Sequence, residues 1–428
     1  MGANSRVVVV DGCRTPFLRS GTGFFDLTGL ELGRMAVAGL LHRTGVDPKA
    51  VELLVMGAVL QDPSTTNVAR EVVLSSGLPD SCVAYTVTMA CISSLQAFVD
   101  AARAIATGAA EVAIAAGVDT LSDAPIRFRR AVRRRLIAAQ KVRGAAGKLK
   151  LLAGLKLSDL LPEAPAIAEF STGETMGQTC ERLAKRFGIS RQEQDEYALA
   201  SHRRAAHATA DGLLARQIVP AWPPPKFLPV ISDNGIRGET TLAKLATLPP
   251  AFDRTFGTVT AGNASFLTDG AAAVLLTSER KAAELGLEPI AAVRSMAVTA
   301  MDPREELLLG PAFASPRALD EAGWRLEDVE VVEFHEAFAA QVLAVLKVME
   351  DDRFCRDRLG RDGPVGRIDR ARLNAWGGSL SVGHPFGATG ARLLTTCCHR
   401  LQHENARSGL VAACAGGALG IAIALERA

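Results

Sequence analysis

Aromatic side chains are scarce: Phe, Trp and Tyr together make up 5% of the 428 residues. Ala, Val, Leu and Gly must therefore do most of the packing, which favours tightly layered α/β structure over an aromatic-rich sandwich. The eight cysteines (13, 82, 91, 180, 355, 397, 398, 414) form no Cys-x-x-Cys pair, so a disulfide framework or a zinc site is not expected. The seven histidines show no metal-ligand spacing with one another. No window reaches the roughly 18 uninterrupted apolar residues of a membrane span. Residues 1–6 run straight into the apolar stretch 7–10. That leaves no room for a signal or transit sequence and predicts a cytoplasmic location. Acidic residues are missing altogether from 124–158, which holds eleven Arg or Lys, although the whole chain has a formal charge of only +2.

The composition is otherwise that of an ordinary globular protein, 48% hydrophobic and 22% charged. The length suits two or three domains in one body. Apolar, β-branched runs predict strands near 6–10, 51–60 and 111–117, and helical spacing predicts helices over 30–42 and 69–76. The same alternation returns late in the chain, with strands over 329–334 and 409–414 and helices over 336–349 and 392–401. Alternating strands and helices imply βαβ units and a mostly parallel sheet covered on both faces. In each half a small-residue turn opens a helix and an Ala/Val-rich strand follows, predicting two halves of related topology. These are 1–121, completed by about 263–288, and 289–428. Between them, 122–262 reads as a loop domain that would cover the site rather than build it. It contains the basic excursion 124–158 and the run Pro223-Pro224-Pro225, which cannot sit in a central strand.

Four short stretches carry candidate chemistry. Residues 85–94 read as a strand delivering Cys91 to the start of a helix, where unpaired N–H groups would lower a thiol's pKa; Cys91 is either a nucleophile or a small buried gap-filler. Residues 383–390, Gly-His-Pro-Phe-Gly-Ala-Thr-Gly, hold His384 in a rigid turn before a helix. That ring either serves Cys91 or satisfies its own turn. Cys414 ends an apolar strand in the pair Gly416-Gly417, whose backbone N–H groups can approach a ligand as an oxyanion hole requires. Residues 333–338, Glu-Phe-His-Glu-Ala-Phe, put His335 at a strand end, where sites in α/β sheets sit.

In this order, these four stretches resemble those of the thiolase family, and the resemblance covers essentially the whole chain. Residues 257–265 resemble the family's CoA-side segment, while 169–177 and 374–380 resemble the branch containing the β-subunit of the fatty-acid-oxidation trifunctional enzyme. The resemblance implies the thiolase fold, two similar βαβ-type halves with mixed sheets in an α/β/α/β/α arrangement. It implies cleavage of 3-ketoacyl-CoA by free CoA, with coenzyme A as a substrate and neither cofactor nor metal. Cys91 would be the nucleophile, His384 its helper, Cys414 the second acid/base, and His335 the holder of an oxyanion-hole water. The backbone N–H groups of Cys91 and Gly416 would face the tetrahedral intermediate. Ser265, with Asn263 and Ala264, would contact CoA, although the three can equally be a tight turn. Two positions depart from the commoner family pattern, His335 and Thr88 each standing where Asn is usual, and both choices match the trifunctional branch. A homodimer or homotetramer is implied as well.

For 124–158 three readings stand: a solvated face; a surface for CoA phosphates or an anionic membrane, giving peripheral attachment; or a docking face for a hydratase/dehydrogenase α-subunit. No nucleic-acid module accompanies the charge. The rival activities are a decarboxylating ketoacyl synthase, which needs Cys with two His but no second thiol, and a non-catalytic acyl-CoA-binding scaffold.

Overall fold

A computed structural model describes residues 6–163 and 168–428; the reading of 1–5 as free of a leader lies outside them. The first half runs β1 (Val7–Arg14), the short β2 (Leu18–Arg19), α1 (Gly29–Thr44), β3 (Leu53–Gly57), α2 (Val68–Ser75), β4 (Val83–Val87), α3 (Ser93–Thr107) and β5 (Val112–Asp119). The excursion follows with β6 (Arg127–Phe128), α4 (Arg130–Gln140), α5 (Ala145–Leu152), β7 (Pro162–Glu163), α6 (Met176–Arg186), α7 (Arg191–Ala210) and α8 (Leu242–Ala246). The chain then returns through β8 (Thr268–Ser278) and α9 (Glu279–Glu284). The second half comprises β9 (Ala291–Ala300), α10 (Gly310–Ala322), β10 (Val331–Phe334), α11 (Ala339–Glu350), α12 (Asp352–Leu359), α13 (Ser379–Val382), α14 (Thr389–His403), β11 (Ser408–Ala415) and β12 (Leu419–Arg427).

Local signals set the element ends. Thr28 and Glu31 form a reciprocal capping box at the start of α1, and Gly45 closes the helix in the left-handed conformation. The helix expected over 336–349 begins instead at Ala339, because Phe338 is extended (φ −146°, ψ 149°) and residues 335–338 form a loop.

The strands lie in the order β10-β11-β12-β9-β1-β8-β5-β3-β4. Within the sheet the two halves join where Val8 and Val9 pair with Ala292 and Ala291. Outward from that seam they repeat each other. β1-β8-β5-β3-β4 has the pairing sense anti, anti, parallel, parallel; β9-β12-β11-β10 gives anti, anti, parallel, and Leu373 adds a parallel bridge to Val332 where β4 would stand. Each half thus has one reversed strand, β8 or β12, among strands that otherwise share a direction. Because that strand is internal, both of its pairings are antiparallel.

α3 and α14 touch each other and lie between the halves; α14 contacts β1, β5 and β8 as well as β10, β11 and β12. α1 and α10 cover the outer faces. β8 shows why its sequence reads as a continuous apolar run: Ala272, Val274 and Leu276 face the central helices, and Ala271, Ala273 and Leu275 face α1. Small residues let backbones touch. A Cβ on Gly310, at the start of α10, would lie 2.9 Å from the Cα of Cys414.

The excursion does more than cover. α7 packs on α11 and α13, and α6 on α11. α4 and α5 pack on each other beside the β6–β7 pair. Leu136, Ile137 and Leu149 are exposed there among the basic residues. Among the described residues, no helix is long and apolar enough to cross a membrane.

Candidate active site

The sharp bend between β4 and α3 puts Ala90 at φ 47°. A left-handed non-glycine residue costs about 1–3 kcal/mol and must be held by its surroundings. Ser93 does so: its hydroxyl accepts from the N–H of Met89 (2.9 Å) and donates to the carbonyl of Ala90 (2.7 Å). The bend presents Cys91, half-buried, with its sulfur facing the backbone N–H groups of Gly416 and of Cys91 itself. Those are the two N–H groups expected to line an oxyanion hole.

From the second half come two buried imidazoles. His384 follows Gly383 (φ 108°), and its own N–H donates to the carbonyl of Phe266. His335 follows β10, its N–H donating to Ala412. The ring centroids are 4.2 Å apart. One donor atom each from Cys91, His335 and His384 lie within 4.8 Å of one another, and neither imidazole Nε2 has a hydrogen-bond partner. On the far side, Nδ1 of His384 is 2.6 Å from Thr389 Oγ1 and Nδ1 of His335 is 3.0 Å from Ser379 Oγ. Cys414, on β11, is buried and close enough for the charge of Cys91 to act on it. Sequence reasoning named these four residues, and the fold brings all four together. By donor type, Cys91, His335 and His384 could also hold a metal ion, and among the described residues no other cluster could.

Burial decides the electrostatics. It pushes the Cys91 thiol up to about 12, against the opposing N–H groups of Gly416 and Cys91. A thiol depressed by the helix N-terminus was expected, so that expectation is corrected: the site is too dry for the helix end to win. Burial likewise holds His384 down to about 3 and His335 well below its ordinary value, with the cation of Arg392 adding to both and His384 also to His335. Cys414 is raised by burial first and by Cys91 second. The resting site is therefore uncharged, a pair of thiols and a pair of neutral imidazoles.

Several supporting residues escaped the sequence reading. Asp119 ends β5 and accepts from the N–H groups of Val59, Leu60 and Gly387, the last at 2.5 Å, so it ties the His384 loop to the first half. Burial raises its carboxyl to about 7, against those same donors. An acid ending a wholly apolar strand was the available signal. Glu336 accepts from Tyr197 (3.0 Å), Ser201 (2.8 Å), Asn374 (2.7 Å) and the N–H of Leu380 (3.1 Å), so α7 of the excursion braces the His335 loop. Glu169 reaches the N–H of Gly417 at 2.8 Å.

The CoA-side residues separate. Asn263 is fully buried, its amide used by Thr260, Asp195 and Thr258, so it fastens a turn and offers no free polar atom. Ala264 bridges Phe338, and Ser265 donates its N–H to Ala337 (2.9 Å), placing both half-exposed residues against the His335 loop. Beside them opens a cavity of about 500 Å³ whose lining includes Arg19, Arg237, Lys244, Phe266 and Leu380.

Comparison with known proteins now bears on the site. Residues 7–280 match the family model "Thiolase, N-terminal domain" and 287–427 match "Thiolase, C-terminal domain". Over 420 residues the chain is 49% identical to the bovine mitochondrial trifunctional enzyme subunit beta, covering 98% of this chain and 88% of that protein. It is 48% identical over 421 residues to a 3-ketoacyl-CoA thiolase of Pectobacterium carotovorum, covering 98% and 96%. The crystal structure of the Bacillus anthracis acetyl-CoA acetyltransferase matches with a TM-score of 0.85 at 32% identity, and that of human mitochondrial 3-ketoacyl-CoA thiolase with 0.85 at 31%; both comparisons cover 100% of each chain.

A thiol held near 12 by burial is protonated at neutral pH. The ultraviolet thiolate absorbance of the free protein, wild type minus Cys91→Ala, should stay below about a tenth of one thiolate at about pH 8. A full thiolate there would mean that the helix end dominates after all.

Proposed function

Since the chain belongs to the thiolase family, we propose that it is an acyltransferase. It cleaves 3-ketoacyl-CoA with free CoA to acetyl-CoA and a shortened acyl-CoA, the last step of fatty-acid β-oxidation. The observation that carries this reading is the convergence of Cys91 and two unpartnered imidazole nitrogens, with the buried Cys414 thiol close enough for Cys91 to act on it.

Cys91 attacks the ketone carbon as its proton passes to the Nε2 of His384, so no thiolate need stand free beforehand. The oxyanion that forms faces the N–H groups of Cys91 and Gly416. Collapse breaks the bond between the α and β carbons. The departing acetyl-CoA enolate is stabilised at its thioester oxygen by the imidazolium of His384 and by His335, directly or through a water. Cys414 gives its proton to the enolate carbon. The shortened acyl group stays on Cys91 as a thioester. An incoming CoA thiol then loses its proton to the Cys414 thiolate and attacks the acyl carbon. Cys91 leaves and recovers its proton from His384. All four groups return to their neutral resting state without a cofactor or metal, and the reverse sequence is a Claisen condensation.

Arg19, Arg237 and Lys244 around the cavity beside Ser265 suit the phosphates of CoA, with the pantetheine arm passing Ala264 and Ser265. A decarboxylating synthase would have no use for Cys414, and a scaffold would have no use for either thiol. The test is CoA-dependent loss of 3-ketoacyl-CoA across short, medium and long chains. Cys91→Ala should remove activity and Cys414→Ala should lower kcat by about 10²–10⁴-fold. Full activity in Cys414→Ala would favour the synthase mechanism, and no cleavage by wild type on any chain length, with or without an α-subunit, would favour the scaffold.

Two surfaces suit partners. The α4–α5 pair sets exposed Leu136, Ile137 and Leu149 among basic residues, which fits peripheral attachment of a cytoplasmic protein to an anionic membrane; an α-subunit is the second reading, supported by the relative named as a subunit. At ~1 kcal/mol per basic residue, replacing Arg133, Arg134 and Arg135 by Gln should weaken binding to anionic vesicles about 100-fold. Unchanged vesicle binding would leave the α-subunit reading. Among the described residues the edge strand β4 pairs with β3 alone, and it exposes Val83 and Tyr85, which suits a second copy of the chain in a homodimer or homotetramer. Sedimentation should then give at least twice the mass of one chain; the mass of a single chain would exclude it.

A further inference from the structure

Two neutral imidazoles 4.2 Å apart can face a substrate as two donors, two acceptors or one of each, and only the protons on their far sides decide which. Those far sides are held by different partners. A guanidinium only donates, and Arg392 donates to Ser379 Oγ at 2.7 Å. The hydroxyl proton of Ser379 must then go elsewhere, and the acceptor within reach is Nδ1 of His335 at 3.0 Å. His335 therefore carries its own proton on Nε2. At the other ring, Thr389 Oγ1 lies 3.2 Å from the carbonyl oxygen of Pro385, which can only accept. The Thr389 proton is spent there, so its oxygen accepts from Nδ1–H of His384 at 2.6 Å, leaving a bare lone pair on Nε2.

We propose that Arg392, acting through Ser379, is a positioning residue that fixes His335 as the Nε2–H tautomer, while Thr389 fixes His384 as the opposite Nδ1–H tautomer. The two rings then offer one donor and one acceptor to the same point beside Cys91. The use made of those atoms rests on the acyl-transfer reading: the acceptor takes the proton of Cys91, and the donor meets the oxygen that becomes negative.

The setting of Arg392 supports this role. It is 2% exposed, its Nε has no partner and, although Oε2 of Glu333 is unpartnered too, Arg392 forms no ion pair among the described residues. Glu333 pairs with Arg400 at 2.7 Å, and Glu336 is occupied by Tyr197, Ser201 and Asn374. A buried cation lacking an ion-pair partner is costly to keep. Here it does two things. It obliges the serine to donate forward, and its charge opposes protonation of both rings.

The experiment is nitrogen NMR of protein labelled at histidine, with single His→Gln replacements to assign His335 and His384. Wild type should show His335 protonated on Nε2 and His384 on Nδ1. Ser379→Ala should give His335 mixed tautomers and lower kcat in step with the Nε2–H fraction lost, about twofold at an even mixture and towards 100-fold, the scale of a lost oxyanion donor, only as that form disappears, with KM changed less. Ser379→Thr, which keeps the hydroxyl, should restore both. A wild-type His335 protonated on Nδ1, or Ser379→Ala with unchanged tautomer and kcat, overturns the proposal. The tautomers are read without substrate, so failure of the acyl-transfer reading would show separately as absence of cleavage by wild type.

Discussion

The site is nearly dry, and most of its design follows from that constraint. With water largely excluded, each polar atom near Cys91 must be matched by another protein atom or by substrate, and standing charge is expensive. The thiols stay protonated and the imidazoles neutral because burial outweighs everything else acting on them. Catalysis in such a place has to proceed by moving protons between neutral partners, and the atoms left without hydrogen bonds, Nε2 of His335 and of His384, are those the chemistry needs. Bare buried nitrogens would be faults in a structural core. On the acyl-transfer reading they are where substrate would bind.

Dryness also explains how much support surrounds a few reacting atoms. Asp119 joins the Val59–Leu60 loop to the His384 loop, Glu336 collects four donors from three segments, and Ser93 holds the bend before Cys91. None of these residues touches the point where the thiols and imidazoles meet. Each keeps a loop in one position, and a loop fixed in this way loses little freedom when substrate binds.

The candidate residues were legible because each sits in a short, local pattern: a cysteine at a strand-to-helix bend, a histidine in a Gly/Pro turn, a cysteine before two glycines. Alternation of strand and helix likewise announced two related halves, and the single reversed strand in each emerged only with the pairing of β8 and β12. What stayed hidden depends on contacts across long separations. Glu336 meets Tyr197 139 positions away, and Asp119 meets Gly387 268 positions away. A local reading also misjudged the Cys91 thiol, because helix position is visible in sequence and depth of burial is not. For Asn263 the sequence left a CoA contact and a tight turn both open, and its amide is used by its own turn and by Asp195.

β8 lies between β1 and β5, but it is encoded after the whole excursion. During synthesis the chain emerges from its N-terminal end, so β1 has no partner strand in its own half until Ser278 has left the ribosome. The seam to Ala291 and Ala292 comes later still. Until then the apolar run Val7–Val10 at the head of β1 waits with both edges open. Pairings so distant in sequence close slowly and leave sticky edges exposed meanwhile. The arrangement that buries the site so well in the finished molecule therefore leaves the first strand of the nascent chain without its sheet neighbours for most of its translation.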